Sequence, residues 1–287
     1  MLKDLKTKFT SANALFKLIY INLGVFVFFK ILGTFAYLIQ SPTFSASYLF
    51  GIPVKTSELL FRPWTLLTYM FTHVDLFHIL SNLLYLYFAG QIFLQYFTAK
   101  KLYSIYVLGG LVGGLSYLLA FNFFPAFTSI TNSSLIGASA SVMALLFAVA
   151  TYVPNYKINL FFLGAIPIKY LAMVFVFMDV INIPNGNSGG HIAHLGGALV
   201  GVLFVYQWKK GSDITLGISA AIEAVLALFK KKQLKTVHRR AKSDDQYRNE
   251  SAIHSEKIDK ILDKISKSGY DSLTKKEKEY LFKNSKK

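Results

Sequence analysis

The chain has 287 residues, 53% of them hydrophobic and 16% aromatic, with only 16% charged, against roughly a quarter in an ordinary soluble domain; a simple soluble enzyme is excluded. No cysteine is present, which excludes a disulfide scaffold, a thiolate nucleophile and a thiolate metal site. The net charge of +16 would suit a nucleic-acid binder, but 20 of the 31 Lys and Arg and 11 of the 15 Asp and Glu follow residue 208, and positive charge beside apolar segments is what an anionic membrane leaflet attracts.

A spanning helix needs about 20 predominantly apolar residues, because the bilayer core offers the backbone no hydrogen-bond partners. Six such windows are present. Residues 1–17 form a basic N-terminal segment carrying Lys3, Lys6, Lys8 and Lys17. The first span then runs from about Leu18 to Leu38, too long for the apolar region of a cleaved signal peptide and followed by no clear cleavage motif. Lys30 lies inside it and is expected to snorkel outward or face the bundle. The second span covers about Leu76 to Phe97, the third Leu102 to Phe124 and the fourth Leu135 to Val153. Lys169 interrupts the next apolar stretch, so Asn159 to Ile168, with Pro167, reads as an interfacial connector and the fifth span starts near Lys169. The sixth covers Gly189 to Trp208, completing a membrane domain over 18–208. Gly109, Gly110, Gly113 and Gly114 make two overlapping GxxxG pairs in the third span, and Gly197 with Gly201 a third pair in the sixth, all permitting close helix approach.

Basic residues are retained on the cytoplasmic side. Lys100 and Lys101, Lys157 and Lys169, and Lys209 and Lys210 fall on the same side as the N-terminus, whereas Phe124 to Ser134 and Asn182 to Ser188 carry no Lys or Arg. Both termini are therefore expected in the cytoplasm, with the prokaryotic plasma membrane as the expected location. The long first loop, with Lys55 and Arg62, is the one outer loop with basic residues.

After the sixth span, residues 209–249 read as an amphipathic helix followed by a flexible basic linker. Ile214, Ile218, Ile222, Val225 and Phe229 form one stripe; a seventh span over 214–229 is the rival. Residues 250–287 read as a small helical hairpin, with a stripe of Ile258, Ile261, Leu262 and Ile265, a break at Gly269, and a Thr274/Glu277 capping box. Basic residues so tethered meet lipid head groups rather than nucleic acid.

Polar groups inside spans are costly and mark function unless packing explains them. His78 and Asn82, four apart, share one face of the second span; Ser139 sits in the first turns of the fourth; His194 follows Gly189 by five residues, roughly 7.5 Å of helical rise. The charge-derived topology puts all of them in the outer third. A serine hydroxyl needs a base to take its proton, and histidine is the usual partner. Ser139 and His194 supply that pair, while His78, the Asn82 amide and the Ser139 backbone N–H are candidate donors to an oxyanion, helped by the positive end of the fourth helix. No matched carboxylate completes a triad: Asp75 and Asp179 are the nearby acids, and neither is assigned a catalytic role. Plainer readings stand beside these. Ser139 in a small-residue run could be helix packing, with Ser141 a weak rival nucleophile; Asn82 could be interhelical glue. His191 and His194 could be metal ligands with His73 or His78, although no HExxH occurs.

Taken together, Trp64, His73, His78-Ile-Leu-Ser-Asn82, Gly137-Ala138-Ser139 and Ala193-His194-Leu-Gly-Gly197-Ala-Leu-Val-Gly201 resemble the rhomboid family of intramembrane serine proteases over residues 60–208. The resemblance implies an all-α, polytopic six-helix membrane bundle, here with a cytoplasmic helical tail. It implies Ser139 as nucleophile, His194 as general base, and His78 and Asn82 as oxyanion side chains. It further implies no cofactor and no metal, and cleavage of membrane-anchored protein substrates whose transmembrane helix is easily unwound. Three positions depart from the family pattern: Ala140 replaces the last glycine of GxSG, Met143 stands where many members have an aromatic residue, and Thr65 follows Trp64 in place of arginine, with Arg62 just before. The alternatives are a catalytically silent rhomboid-like protein that binds or escorts membrane helices, against which the presence of both Ser139 and His194 weighs, and a polytopic transporter, whose expected midplane charges and repeated broken helices are not evident.

Overall fold

The computed structural model describes residues 11–40, 45–160, 164–229 and 244–284; the basic residues Lys3, Lys6 and Lys8 lie outside them. The chain divides into two units, residues 1–230 and 231–287.

In the first unit, helix α1 (Ala14–Leu38) starts where the Asn13 side chain accepts from the Phe16 N–H. A long loop follows, built from α2 (Ala46–Phe50), the short strand β1 (Ile52–Pro53), α3 (Thr56–Phe61), α4 (Thr65–Thr68) and a 3₁₀ turn, Tyr69–Phe71. Asp75 caps α5 (Leu76–Tyr96), accepting from the His78 N–H at 2.9 Å, and Thr98 caps α6 (Ala99–Phe123). Strand β2 (Ser134–Leu135) precedes α7 (Ser139–Tyr152). The expected connector is an antiparallel ribbon, β3 (Lys157–Leu160) on β4 (Gly164–Pro167), which leads into α8 (Ile168–Asn182). Helices α9 (Ser188–Lys209) and α10 (Leu216–Phe229) complete the unit.

Among the described residues, five helices are long and apolar enough to cross a membrane, not six: Ala14–Leu38, Leu76–Tyr96, Ala99–Phe123, Ile168–Asn185 with its 3₁₀ turn, and Ser188–Lys209. The fourth expected span is shorter than its apolar window. Leu135 pairs with Ile52 in the β1–β2 ladder, and Gly137 at φ +111° cannot be helical, so α7 begins only at Ser139. Its 14 residues rise about 21 Å against a hydrocarbon core of about 30 Å. Ten of them are buried, so neighbouring helices shield this helix and its ends need not reach the bilayer surfaces.

The glycine pairs make that burial possible. A Cβ on Gly109 or Gly113 would meet the methyls of Ala144 and Ala140 at 2.3 and 2.5 Å, and one on Gly197 or Gly201 would meet the backbone oxygens of Ala140 and Ala144 at 2.0 and 2.3 Å. Helices α6 and α9 thus clasp α7 from two sides. The second ridge of α6, Gly110 and Gly114, instead receives Met70, Ile52 and Tyr69 of the first loop. Outward faces carry large apolar residues such as Phe28, Phe35, Leu84, Leu119, Phe177 and Leu203, a surface suited to lipid and not to water. Lys30 is exposed, not turned into the bundle, with its Nζ 5.6 Å from the Phe26 ring centre.

Helix α10 is too short to span. Ser219 meets Ser104 of α6 at 2.8 Å and Glu223 pairs with Lys100 at 2.7 Å. The inner face is Ile214, Thr215, Ile218, Ser219 and Ile222, while Val225 of the expected stripe is exposed.

The second unit is a helix pair, α11 (Asp244–Ser268) and α12 (Lys275–Asn284). The first helix begins inside the stretch that reads as linker. Ile258, Ile261 and Ile265 face inward, but Leu262 stays 48% exposed. Gly269 takes φ +73°, and Glu277 accepts from both the N–H and the hydroxyl of Thr274 at 2.7 Å.

Candidate active site

A cavity of about 610 Å³ opens among α5, α7, α8 and α9, and Ser139, His194, His78 and Asn82 all line it. Ser139 is the first residue of α7, so its backbone N–H is among the four that a helix start leaves without an intrahelical partner. Asn82 gives one N–H of its amide to the His78 carbonyl at 2.9 Å; an amide has two such donors, and the second remains for the cavity. Ser139 and His194 share the cavity without a hydrogen bond between them among the described residues. Ser141 is fully buried, its Oγ 3.9 Å from the Met70 sulfur, which removes it as a rival nucleophile.

The segment before Ser139 is held from the first loop. Ile52 pairs with Leu135 and Pro53 with Ser134, the Val54 N–H donates to the Ser133 carbonyl at 3.0 Å, and the Gly137 N–H to the Tyr69 carbonyl at 2.9 Å. The Ala138 N–H donates to His73 Nε2 at 3.2 Å. At Gly137 any side chain would be strained by the positive φ and would meet the His78 ring at 2.7 Å. His73 packs edge-on to His78, ring centres 5.0 Å apart.

Burial, and then the neighbouring His78, lower the pKa of His73 to about 4 from its ordinary 6.5, against an upward pull from the Phe71 carbonyl. The ring is neutral at pH 7 and can accept from Ala138. Unfolded chains take up the proton below pH 6.5 and the folded protein only near 4, so the stability that His73 contributes is complete above 6.5, declines between 6.5 and 4, and is gone below. The full loss is about 3 kcal/mol. His73→Gln keeps an acceptor without titrating; melting in detergent across that window should show a steeper acid loss for wild type than for the variant.

The cavity wall between α5 and α8 carries an edge-to-face contact of Tyr85 with Phe175, centres 5.2 Å apart. Helix α8 is the least enclosed of the five spanning helices, with 17% of its apolar window buried against 61% for α6.

Asp179, a nearby acid to which the sequence assigns no catalytic role, meets His194 directly. It is 5% exposed on α8, and its Oδ1 lies 2.8 Å from the Nδ1 of both His194 and His191. Asp75, by contrast, only caps α5. The three donor atoms of Asp179, His191 and His194 lie within 4.8 Å of one another. Ligand bonds of 2.0–2.2 Å in a tetrahedral metal site would hold such atoms about 3.4 Å apart, whereas 2.8 Å is a hydrogen-bond separation. His73 and His78 are not in this group.

The model of the Rhomboid domain matches residues 61–210, more than half of the chain and every residue named at the cavity. The chain belongs to the rhomboid family. Similar proteins include "RHOMBOID-like protein 12, mitochondrial" of Arabidopsis thaliana, 30% identical over 160 residues (52% of this chain, 48% of that one). "Rhomboid-related protein 1" of Caenorhabditis elegans is 30% identical over 164 residues (54% and 43%). "Presenilin-associated rhomboid-like protein A, mitochondrial" of Danio rerio is 29% identical over 149 residues (49% and 37%). The chain thus spans less than half the length of these relatives. All come from eukaryotes and two are named as mitochondrial, so they lend nothing to the expectation of a prokaryotic plasma membrane; what stands is a multi-pass membrane protein. A family of unknown function (DUF6576) matches residues 242–287, the helix pair.

This rhomboid accommodates its three departures from the family pattern. The Ala140 methyl faces Gly113, where a Cβ would come within 2.5 Å, so the extra carbon has its space on the neighbouring helix. Met143 is 6% exposed and lines the cavity with His194. In the first loop, the Arg62 guanidinium donates to the Tyr48 carbonyl and to Glu58 and lies 4.2 Å from the Tyr48 ring centre, while Trp64 Nε1 donates to the Leu49 carbonyl at 2.9 Å. Thr65, where the pattern has arginine, donates its hydroxyl to the Arg62 carbonyl at 2.7 Å.

Proposed function

We propose that this rhomboid is an intramembrane serine endopeptidase that cleaves transmembrane or membrane-anchored proteins near the outer side of the bilayer, with both termini in the cytoplasm. The observation that carries the reading is the convergence of Ser139, His194, His78 and Asn82 on one cavity within the helical bundle. The Ser139 oxygen attacks the scissile carbonyl carbon while its proton passes to His194 Nε2. The tetrahedral oxyanion meets the Ser139 backbone N–H, the second Asn82 N–H and His78. Collapse breaks the C–N bond, the proton moves from His194 to the departing amine, and water then hydrolyses the acyl-enzyme with His194 again as base. Orientation rests on the retained positive charge of Lys100, Lys101, Lys157, Lys169, Lys209 and Lys210.

The test is labelling of the detergent-solubilised protein with a fluorophosphonate, in which the Ser139 oxygen bonds to phosphorus, fluoride leaves and the proton goes to His194. Labelling that vanishes in Ser139→Ala supports the reading. Folded wild type that stays unlabelled would favour a silent binder of membrane helices. His78→Ala and Asn82→Ala should each slow peptide turnover by at most about 10²–10³-fold, the loss of one oxyanion donor, as initial rates on a reconstituted substrate would show.

A further inference from the structure

The carboxylate of Asp179 has no part in the mechanism above, yet it is the one acidic side chain buried in the membrane domain among the described residues. An ionisable group inside a span is expensive and needs a partner. Here the partners are Nδ1 of His194 and Nδ1 of His191, both at 2.8 Å from the same oxygen, Oδ1. The other oxygen, Oδ2, is buried with no partner, and a buried acceptor left unsatisfied asks for an explanation beyond packing. This carboxylate of α8 aims a single oxygen at two imidazoles of α9.

A hydrogen bond to a carboxylate fixes which ring nitrogen carries the proton. With Nδ1–H of His194 directed at Oδ1, its Nε2 is left as the free lone pair, and His194 lines the cavity that holds Ser139. We propose that Asp179 is a positioning residue for His194: it holds the Nδ1–H tautomer and ring orientation that make Nε2 the base, and its negative charge lies beside the imidazolium that forms when Nε2 takes the Ser139 proton. His191 shares the same oxygen and is a second donor to the carboxylate, not a base. The pair of Ser139 and His194 thereby becomes a triad whose acid comes from α8. The inference rests on the serine-hydrolase reading for its consequence in rate, but the tautomer is a property of the resting protein.

The experiment uses the full chain in detergent micelles with ¹⁵N-labelled histidine. Nitrogen shifts report the His194 tautomer, and fluorophosphonate labelling is followed in parallel for wild type, Asp179→Asn and Asp179→Glu. Wild type should show His194 protonated at Nδ1. Asp179→Asn should shift it toward Nε2–H and slow labelling, by up to about 10⁴-fold as in other serine hydrolases with the acid amidated. Asp179→Glu should restore part of both signals relative to Asp179→Asn, and the wild-type tautomer itself serves as the test if Asp179→Asn does not fold. An Nε2–H tautomer in wild type overturns the proposal, and so does an Asp179→Asn protein with unchanged tautomer and labelling. Unlabelled wild type with the Nδ1–H tautomer would instead uphold the positioning and remove the hydrolase reading.

Discussion

Replacement of either Ser139 or His194 by Ala is expected to drop hydrolysis of a reconstituted transmembrane substrate below detection. The two side chains act as one unit: without His194 the hydroxyl keeps its proton, and without Ser139 no acyl-enzyme forms. In comparable hydrolases, losing either member costs on the order of 10⁶-fold in turnover, far beyond the 10²–10³-fold expected for His78 or Asn82. The substitutions remove atoms from the cavity lining, where both residues are half-buried, so melting should change little. Product quantified by mass spectrometry, beside the melting curve of each variant, separates lost chemistry from lost fold. Near-normal cleavage in His194→Ala would overturn the base assignment.

The second large effect is expected at Gly197. An added methyl would sit 2.0 Å from the Ala140 carbonyl oxygen and 2.8 Å from its carbon, and backbone on both sides leaves no flexible side chain to yield. Gly197→Ala should therefore push α9 off α7, at a cost at or above the upper end of the roughly 1–3 kcal/mol typical of overpacking. Because Ala140 follows the nucleophile directly, labelling of Ser139 should fall with stability. Gly24→Ala on α1, where nothing lies within 4 Å, is the matched control and should leave melting unchanged. Equal melting temperatures for the two variants would contradict the packing argument.

Much of this was legible in the residues because membrane helices leave few choices. Apolar windows located α1, α5, α6, α8 and α9, and GxxxG spacing marked the close faces around α7. Charge-derived depth places Ser139, His194, His78 and Asn82 in one layer of the spans. Three features escaped. The start of α7 depends on Gly137 having a positive φ and on Leu135 pairing with Ile52, a contact across 83 residues that periodicity along one segment does not register. The α10 stripe failed at Val225 because one face of that helix packs on α6 while another stays open. Asp179 reads as an acid without a role, although its position three residues before the C-terminal end of α8 puts it level with His191 and His194 at the start of α9. The cost of a carboxylate inside a span was the available signal.

The two-residue ladder between β1 and β2 has a consequence for how the protein fails. Ser139 owes its place to four backbone contacts from a loop whose Ile52, Tyr69 and Met70 are themselves buried against the Gly110 and Gly114 ridge of α6, while α7 is clasped by glycine faces on two sides. Detachment of the first loop would misplace the nucleophile and also empty the face of α6 that Ile52, Tyr69 and Met70 fill, so inactivation and melting are expected to run together on heating.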